Sequence, residues 1–442
     1  MASSTSNNSS TKGRTLIFYT GAYPCAVNTA PFVEREMETL MATFDRVIVV
    51  PIATKVEDNV VCPHGAEVLS APARLYASPA GKCFLFTIGL FYLPFLIPDI
   101  QRAKVLGQKV RVPDSPRGTL RSIITIGFDL MVAKHLKKMV PAGSKALVYH
   151  FWLFAIGYVA DRNLRKSGRI GSIVARAHGH DLFSEERGNQ LALMRYPYIN
   201  MLDEIWTVCD AGTDFLIDDV KVPATKVKTL LLGGPDYGAL ESRPESDDEL
   251  SIVSCSYVSD YKRVTLVGQV CKMLSEHPEI KSVKWTHIGD GPELPKLKEQ
   301  FAQANPKLKV TFTGWVAASE VRGEIAKTRP HLFLHLAKWE GLPIAVLEAL
   351  SMGLPCVAAG ASGTADVVDS SVGCLLSTDD PAEKAVDAVI DVFKRITSDS
   401  GEALRMAARK RFLDHFSLSA TLPMLVEELN EAWDFGQTRT HN

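Results

Sequence analysis

Residues 338–360, KWEGLPIAVLEALSMGLPCVAAG, hold a helical run, PIAVLEALSMG, followed at once by a short apolar run, PCVAAG, with glycine and proline punctuating both. A helix feeding directly into a buried strand is one beat of a parallel sheet with helical crossovers. The same stretch carries two glutamates, Glu340 and Glu348, eight positions apart around a Gly-Leu-Pro turn. Eight residues of ideal helix turn through about 800°, which returns a side chain to roughly the same face. The ordinary fate of such glutamates is a solvated surface. Glu348, however, lies inside an apolar run where an unassigned charge is costly.

Working outward, the beat repeats. Upstream lie SIVSCSYV, VTLVGQVCKMLSEH, SVKWTHIG, ELPKLKEQFAQAN, KVTFTGW, SEVRGEIAKT and HLFLHLA, alternating strand and helix. The first half begins TLIFYT, PFVEREMETLMATF, RVIVVP and continues with strands KALVYHFW, GSIVARAHG, EIWTVCD and VKTLLLG between helical stretches. Between the halves, GGPDYGALESRPESDDEL (233–250) clusters glycine, proline and acid without a hydrophobic period and reads as a hinge. The expected plan is α/β: a tail at 1–13, a doubly wound domain at 14–232, the hinge, and a second such domain at 251–417. An amphipathic helix at 418–437 follows, whose docking periodicity leaves open. Two open α/β sheets bind ligands outside the carboxyl ends of their strands, so function belongs on the strand-to-helix turns, across a cleft between the domains.

Composition bounds the function. A chain of 442 residues, 46% hydrophobic, fills at least two cores. Lys plus Arg number 49 against 50 Asp plus Glu, which gives no global attraction for nucleic acid. The eight cysteines form no C-x-x-C pair and no His stands at metal-ligand spacing, as expected of reduced thiols in a cytoplasmic protein that needs no metal. MASSTSNNSSTKGR lacks an apolar core and reads as a disordered tail rather than a signal peptide. The run CFLFTIGLFYLPFLIP (83–98) is short for a spanning helix and contains Pro94 and Pro98, so it is expected not to cross a membrane. Arg102, Lys104, Lys109, Arg111, Arg117, Arg121, Lys134, Lys137 and Lys138 follow it, opposed only by Asp114 and Asp129. Residues 83–138 therefore suit either peripheral contact with an anionic membrane or a buried helical hairpin with a solvated basic face.

Three turns of the second half suit a diphosphate. In HIGDGPEL, Gly289 and Gly291 end a strand and Pro292 fits a first helical position, although a G-x-G alone also fits an ordinary tight turn. Gly341 and Pro343 open a helix around the amides of Leu342 and Ile344. Lys262 and Arg263 follow SIVSCSYV and bring cationic donors to the same edge. A carboxylate repels phosphate, so Glu348 is expected on a ribose diol and Glu340 on whatever lies beyond the phosphates. His150 and His178 stand at strand ends of the first half, where a side chain reaches a ligand or is simply structural.

EGLPIAVLEALSMGLPCVAA, with HIGDGPE, VTFTGWV, GASGTADVV and VGCLL around it, closely resembles the donor-binding half of family 4 glycosyltransferases, the retaining, nucleotide-sugar-dependent GT-B enzymes. RAHGHDLF and VYHFW look like the loops with which these enzymes approach the acceptor, and the resemblance runs over residues 14–435. It implies two Rossmann-like domains, with the last helix crossing back onto the first. Glu348 would bind the ribose, Glu340 the donor sugar and Lys262 the leaving diphosphate. Gly289, Asp290, Gly291, Pro292 and Glu293 would line the nucleotide pocket, and Trp315 and Val316 would meet the base. Gly21 and Ala22 would near the diphosphate, His178 the reacting centre, and His150, Arg176 and Asp181 the acceptor. One departure is that many members carry an arginine before that lysine, where this chain has Ser256 and Tyr257; Arg263 is the expected substitute. The activity implied is sugar transfer to a glycan or lipid-linked acceptor in cell-surface polysaccharide or glycolipid synthesis, without cofactor or metal, in the cytoplasm or at the inner face of a membrane. Sugar-nucleotide epimerases, glycoside phosphorylases and silent binding subunits share the fold and stay open. A nicotinamide enzyme is disfavoured, because no G-x-G-x-x-G follows the first strand of either half.

Overall fold

The structure, a computed structural model, describes residues 13–439 apart from 22, 26–30, 53–60, 107–115, 183–193, 242–243, 245, 303–305 and 361. The expected tail at 1–13 thus lies, except for Gly13, outside the described residues, as do Ala22, Lys109, Arg111 and Asp114. The chain divides into two units: residues 1–207, 213–228 and 424–442, and residues 208–212 and 229–423.

The first sheet has the order β3-β2-β1-β4-β5-β6-β7, from β1 (Thr15–Thr20), β2 (Arg46–Pro51), β3 (Glu67–Val68), β4 (Ala146–His150), β5 (Ile170–Ala177), β6 (Glu204–Thr207) and β7 (Val227–Thr229). β1 pairs in parallel with β2 and β4, setting Ile17 beside Ile48 and Val148. Both faces of β1 are covered, with Leu16, Ile17 and Phe18 fully buried, so the strand reads as a continuous apolar run rather than an alternating one.

The second sheet, β10-β9-β8-β11-β12-β13, is parallel throughout: β8 (Glu249–Cys255), β9 (Ser282–Ile288), β10 (Leu308–Phe312), β11 (Leu332–His335), β12 (Cys356–Ala359) and β13 (Gly373–Leu376). Strand order reverses between β8 and β11, which sit side by side with Leu332 opposite Ile252. The stretch 338–360 supplies the loop after β11, the helix Ile344–Ser351 and β12. Glu340 precedes that helix, so the same-face argument for the two glutamates does not hold.

The expected hinge at 233–250 packs within the second unit. Gly234 N donates to Phe416 O (2.8 Å), Leu240 N to Met352 O (3.0 Å), and Asp236 pairs with Arg409. The final helix, Leu418–Thr438, belongs to the second unit through Pro423 and to the first from Met424 onward.

Residues 79–105 run as helix Pro79–Tyr92, a 3₁₀ turn Leu93–Leu96 and helix Ile97–Val105. Pro94 and Pro98 sit in the first turns of their segments, where no backbone donor is lost, so they do not end the helical path as expected. By length and composition this 27-residue path is long and apolar enough to cross a membrane. One side of it packs on helix Pro116–Met139 along a glycine seam. A Cβ at Gly89 would lie 2.1 Å from Ile123 O, and one at Gly127 1.9 Å from Leu85 O. The other side exposes Phe84, Leu90, Phe91, Phe95 and Ile97. Asp129 does not oppose the basic residues. It is buried and accepts from Gly157 N (2.8 Å) and Val159 N (3.0 Å), capping helix Tyr158–Lys166.

Candidate active site

In the second unit the residues expected to act converge where the strand order reverses, the position at which open parallel sheets take ligands. β8 ends at Cys255 and leads through a 3₁₀ turn, Asp260–Lys262, into helix Val264–Glu276; β11 ends at His335 and leads through Glu340 into helix Ile344–Ser351. Lys262 Nζ donates to Glu340 Oε1, and His335 Nε2 donates to the same oxygen at 2.8 Å. Glu340 is buried, at 8% exposure. Burial by itself would raise its pKa, but Lys262 and His335 outweigh it and hold the carboxyl down at about 2. Glu348, half-buried one turn into the helix, accepts from the Tyr237 hydroxyl at 3.0 Å. The Cys255 thiol ties these groups together: burial pushes it up to about 12, Glu348 adds to the rise and Lys262 opposes it. Both charges therefore act on the carboxyl end of β8.

Arg263, expected among the donor groups, is engaged within the loop. It takes a left-handed backbone, φ +49°, and its guanidinium binds backbone carbonyls: Nε to Leu336 O (2.6 Å), Nη1 to Thr378 O (2.8 Å) and Nη2 to Ala337 O (3.4 Å). It stitches the loop that carries Glu340.

The G-x-G turn has an internal reason for its glycines. A Cβ at Gly289 (φ +141°) would lie 2.0 Å from Ser256 O, and one at Gly291 2.3 Å from Val258 O. Gly289 N donates to Gly314 O (3.0 Å), Gly291 N to Asp290 Oδ1 (2.7 Å) and Glu293 N to Val258 O (3.3 Å), so these amides are taken. Helix Leu294–Gln300 starts two residues after Pro292, with Pro295 in its first turn; the expected role for Pro292 is therefore corrected. Trp315 and Val316 follow β10, with the Trp315 indole 70% exposed. Gly341 is packed so closely that a Cβ on Gly363 would lie 1.8 Å from its carbonyl oxygen. Leu342 and Pro343 are buried behind it, and Ile344 opens the helix with an amide that helix geometry leaves unpaired.

Three residues that sequence reasoning missed hold this region. His335 and Tyr237 touch the two carboxylates directly. The third, His287, is pushed down to about 4 chiefly by burial and is neutral. Trp285 Nε1 donates to Ser254 Oγ (2.9 Å), Ser254 Oγ meets His287 Nδ1 (2.9 Å), and His287 Nε2 meets Ser256 O (3.2 Å). The hydroxyl proton therefore goes to Nδ1, and Nε2–H donates to Ser256 O, fixing the loop after β8. A histidine or tyrosine in an apolar or glycine-rich run was the available signal.

In the first unit Gly21 follows β1, and a Cβ there would come 3.7 Å from Trp152 Nε1. His178 follows β5 at 8% exposure, against Trp152 (centroids 4.2 Å) and Phe151 (5.0 Å). Neither ring nitrogen has a hydrogen-bond partner among the described residues. The expected acceptor-side residues each make internal contacts. His150 is 1% exposed, stacks on Tyr19 (4.2 Å) and binds buried Asp161 (2.6 Å), which also accepts from the Tyr19 hydroxyl (3.1 Å). Arg176, fully buried, pairs with Glu36, which also accepts from Tyr149. Asp181 accepts from Leu153 N (2.7 Å) and His178 N (2.5 Å), anchoring the loops at the ends of β4 and β5.

Residues 240–411 match the family described as glycosyl transferases group 1. The amylovoran biosynthesis glycosyltransferase AmsK of Erwinia amylovora is 22% identical over 355 residues, 76% of this chain and 84% of AmsK. The UDP-Gal:alpha-D-GlcNAc-diphosphoundecaprenol alpha-1,3-galactosyltransferase of Escherichia coli is 28% identical over 136 residues, 30% of this chain and only 32% of that enzyme. Among solved structures, Anabaena HepE in complex with UDP superposes with a TM-score of 0.61 at 14% identity, covering 95% of this chain and all of HepE. That likeness is one of fold, the two-domain GT-B architecture.

Proposed function

The chain is a group 1 glycosyltransferase, and from that premise we propose that it transfers a sugar from a nucleotide-diphosphate donor, with retention, to a glycan or lipid-linked acceptor. The observation that carries this is the Lys262–Glu340 pair at the reversal point of the second sheet, with Glu348 on the helix that follows it. Glu348 and Tyr237 suit a ribose diol, Glu340 a sugar hydroxyl and Lys262 the diphosphate. HepE was solved with UDP, and the E. coli relative is named for UDP-galactose and a diphosphoundecaprenol-linked acceptor, so a uridine donor is the first to try.

In the step we envisage, the bond from the anomeric carbon to the phosphate oxygen breaks with its electron pair leaving on the diphosphate. The acceptor oxygen bonds to the same face of that carbon, and its proton passes to a phosphate oxygen. Lys262 and the amide end of helix Ile344–Ser351, at Ile344, stabilise the departing charge, the kind of effect that dominates such catalysis. On this reading His178 serves the reaction from the first unit and no metal is needed, so activity should survive EDTA. Incubation with UDP-, GDP- and ADP-sugars and a lipid-diphosphate-linked glycan, read by NMR for the anomer formed, tests the reading. An inverted product, or undiminished transfer by Lys262→Ala and Glu348→Ala together, would sink it.

The acceptor is met at a membrane. The glycine-seamed hairpin presents Phe84, Phe91 and Phe95 outward, and Arg102, Lys104, Arg117 and Arg121 are exposed on its segments, as suits a bilayer with anionic headgroups. This reading takes the protein to the cytoplasmic face as a peripheral component. The full chain should float with phosphatidylglycerol vesicles and lose that association when Phe91 and Phe95 are both replaced by Glu. Failure of the wild type to float would remove the membrane from the account, and equal flotation of the variant would remove the hairpin.

A further inference from the structure

We propose that His335 is a positioning residue that keeps Glu340 aimed at the donor sugar once the diphosphate has engaged Lys262; this rests on the donor-site reading above. Lys262 and His335 both hold the same oxygen, Oε1, of Glu340. Among the described residues Oε2 has no hydrogen-bond partner, so one oxygen is fixed and the other remains an acceptor. A carboxylate only accepts, which puts a proton on His335 Nε2.

The two donors differ in what holds them. Lys262 has a flexible stem in a short turn and is the charge a diphosphate recruits. His335 is the last residue of a central strand, 5% exposed, registered opposite Ala358 of β12, with its ring stacked near Phe333. Glu340 itself lies in a loop without helix or strand, tethered by Lys338 N to Tyr261 O (2.7 Å) and by the Arg263 side chain. When Lys262 turns to phosphate, His335 is the donor that stays. Its role is therefore specific to the sugar, because the nucleotide is gripped elsewhere, at Glu348.

The test compares UDP with UDP-galactose, UDP-glucose and UDP-N-acetylglucosamine, and GDP with GDP-mannose, by calorimetry on the full chain. In wild type the sugar ester should bind more tightly than its parent nucleotide. His335→Phe should keep the nucleotide affinity and lose the sugar's increment, with kcat falling about tenfold or more, the scale of a lost hydrogen bond to a charged group. His335→Gln, whose amide still donates, should restore most of both. If His335→Phe does not fold, His335→Asn, which keeps an amide but is too short to reach, takes its place. A wild-type increment and kcat in the variant overturn the positioning role. So does an equal loss of nucleotide and sugar-ester binding, which marks a merely structural histidine. Glu340→Ala separates the two ideas: full activity there defeats the donor-site reading itself, whereas an inactive Glu340→Ala beside a normal His335→Phe defeats only this inference.

Discussion

Glu340 stays ionised in a buried position because two cationic or donating neighbours outweigh the cost of removing it from water. Its folded pKa lies below the 4.5 of an ordinary glutamate, so the stability it adds is present above about pH 4.5 and is lost as pH falls toward 2. The contribution is at most about 3 kcal/mol at neutral pH. Thermal melts of wild type and Glu340→Gln should therefore converge between pH 4.5 and 2; parallel curves across that window would contradict the ion pair. Tyr237→Phe removes the donor to Glu348 and leaves the fold. It should weaken nucleotide binding several-fold, about 1 kcal/mol, by calorimetry. At this scale the identities of Glu340, Glu348 and Lys262 were legible, because charged side chains in apolar or glycine-rich surroundings are costly unless used. Their partners were not: Tyr237 and His335 reach them across gaps in sequence that no spacing rule covers.

At the scale of elements, strands buried on both faces announced themselves as unbroken apolar runs, and helix-strand alternation announced a parallel sheet. The hairpin 79–139 was harder to read, since its apolar content fits a core, a membrane span or a surface wedge. What the structure adds is the seam, where Gly89 and Gly127 let two backbones approach to a distance at which no side chain fits. Gly127→Val should cost about 3 kcal/mol or more, lowering the melting temperature, since the obstacle is Leu85 backbone that cannot rotate away. An unchanged melt would mean the helices cross elsewhere. Gly289 and Gly291 teach a related lesson: their motif is readable in sequence, but their neighbours are carbonyls of this chain rather than a phosphate.

At the scale of the molecule, the second unit carries Lys262, Glu340 and Glu348, the proposed donor groups, and the last helix finishes in the first. Trp433 is buried with the Arg14 guanidinium over its ring at 5.4 Å, and Ser172 Oγ donates to Ala432 O (2.6 Å). Trp433→Ala should lower the calorimetric transition of the first unit by the equivalent of about 3–5 kcal/mol. A saturating UDP-sugar should instead raise that of the second, by about 2.7 kcal/mol at a hundred times Kd. A ligand that shifts only the first unit would reassign the donor site.

The order of strands and helices, the two-sheet plan and the residue types at the donor site were set by local pattern, because hydrophobic period and the cost of buried charge act over a few residues. Which histidine holds Glu340, why Arg263 serves a loop, why His150, Arg176 and Asp181 are spent inside the first unit, and which side of the hairpin is left bare were set only by tertiary packing. Those outcomes depend on which atoms meet in the folded chain, from five residues apart for His335 and Glu340 to 140 for Glu36 and Arg176, and burial and hydrogen-bond satisfaction are properties of that meeting.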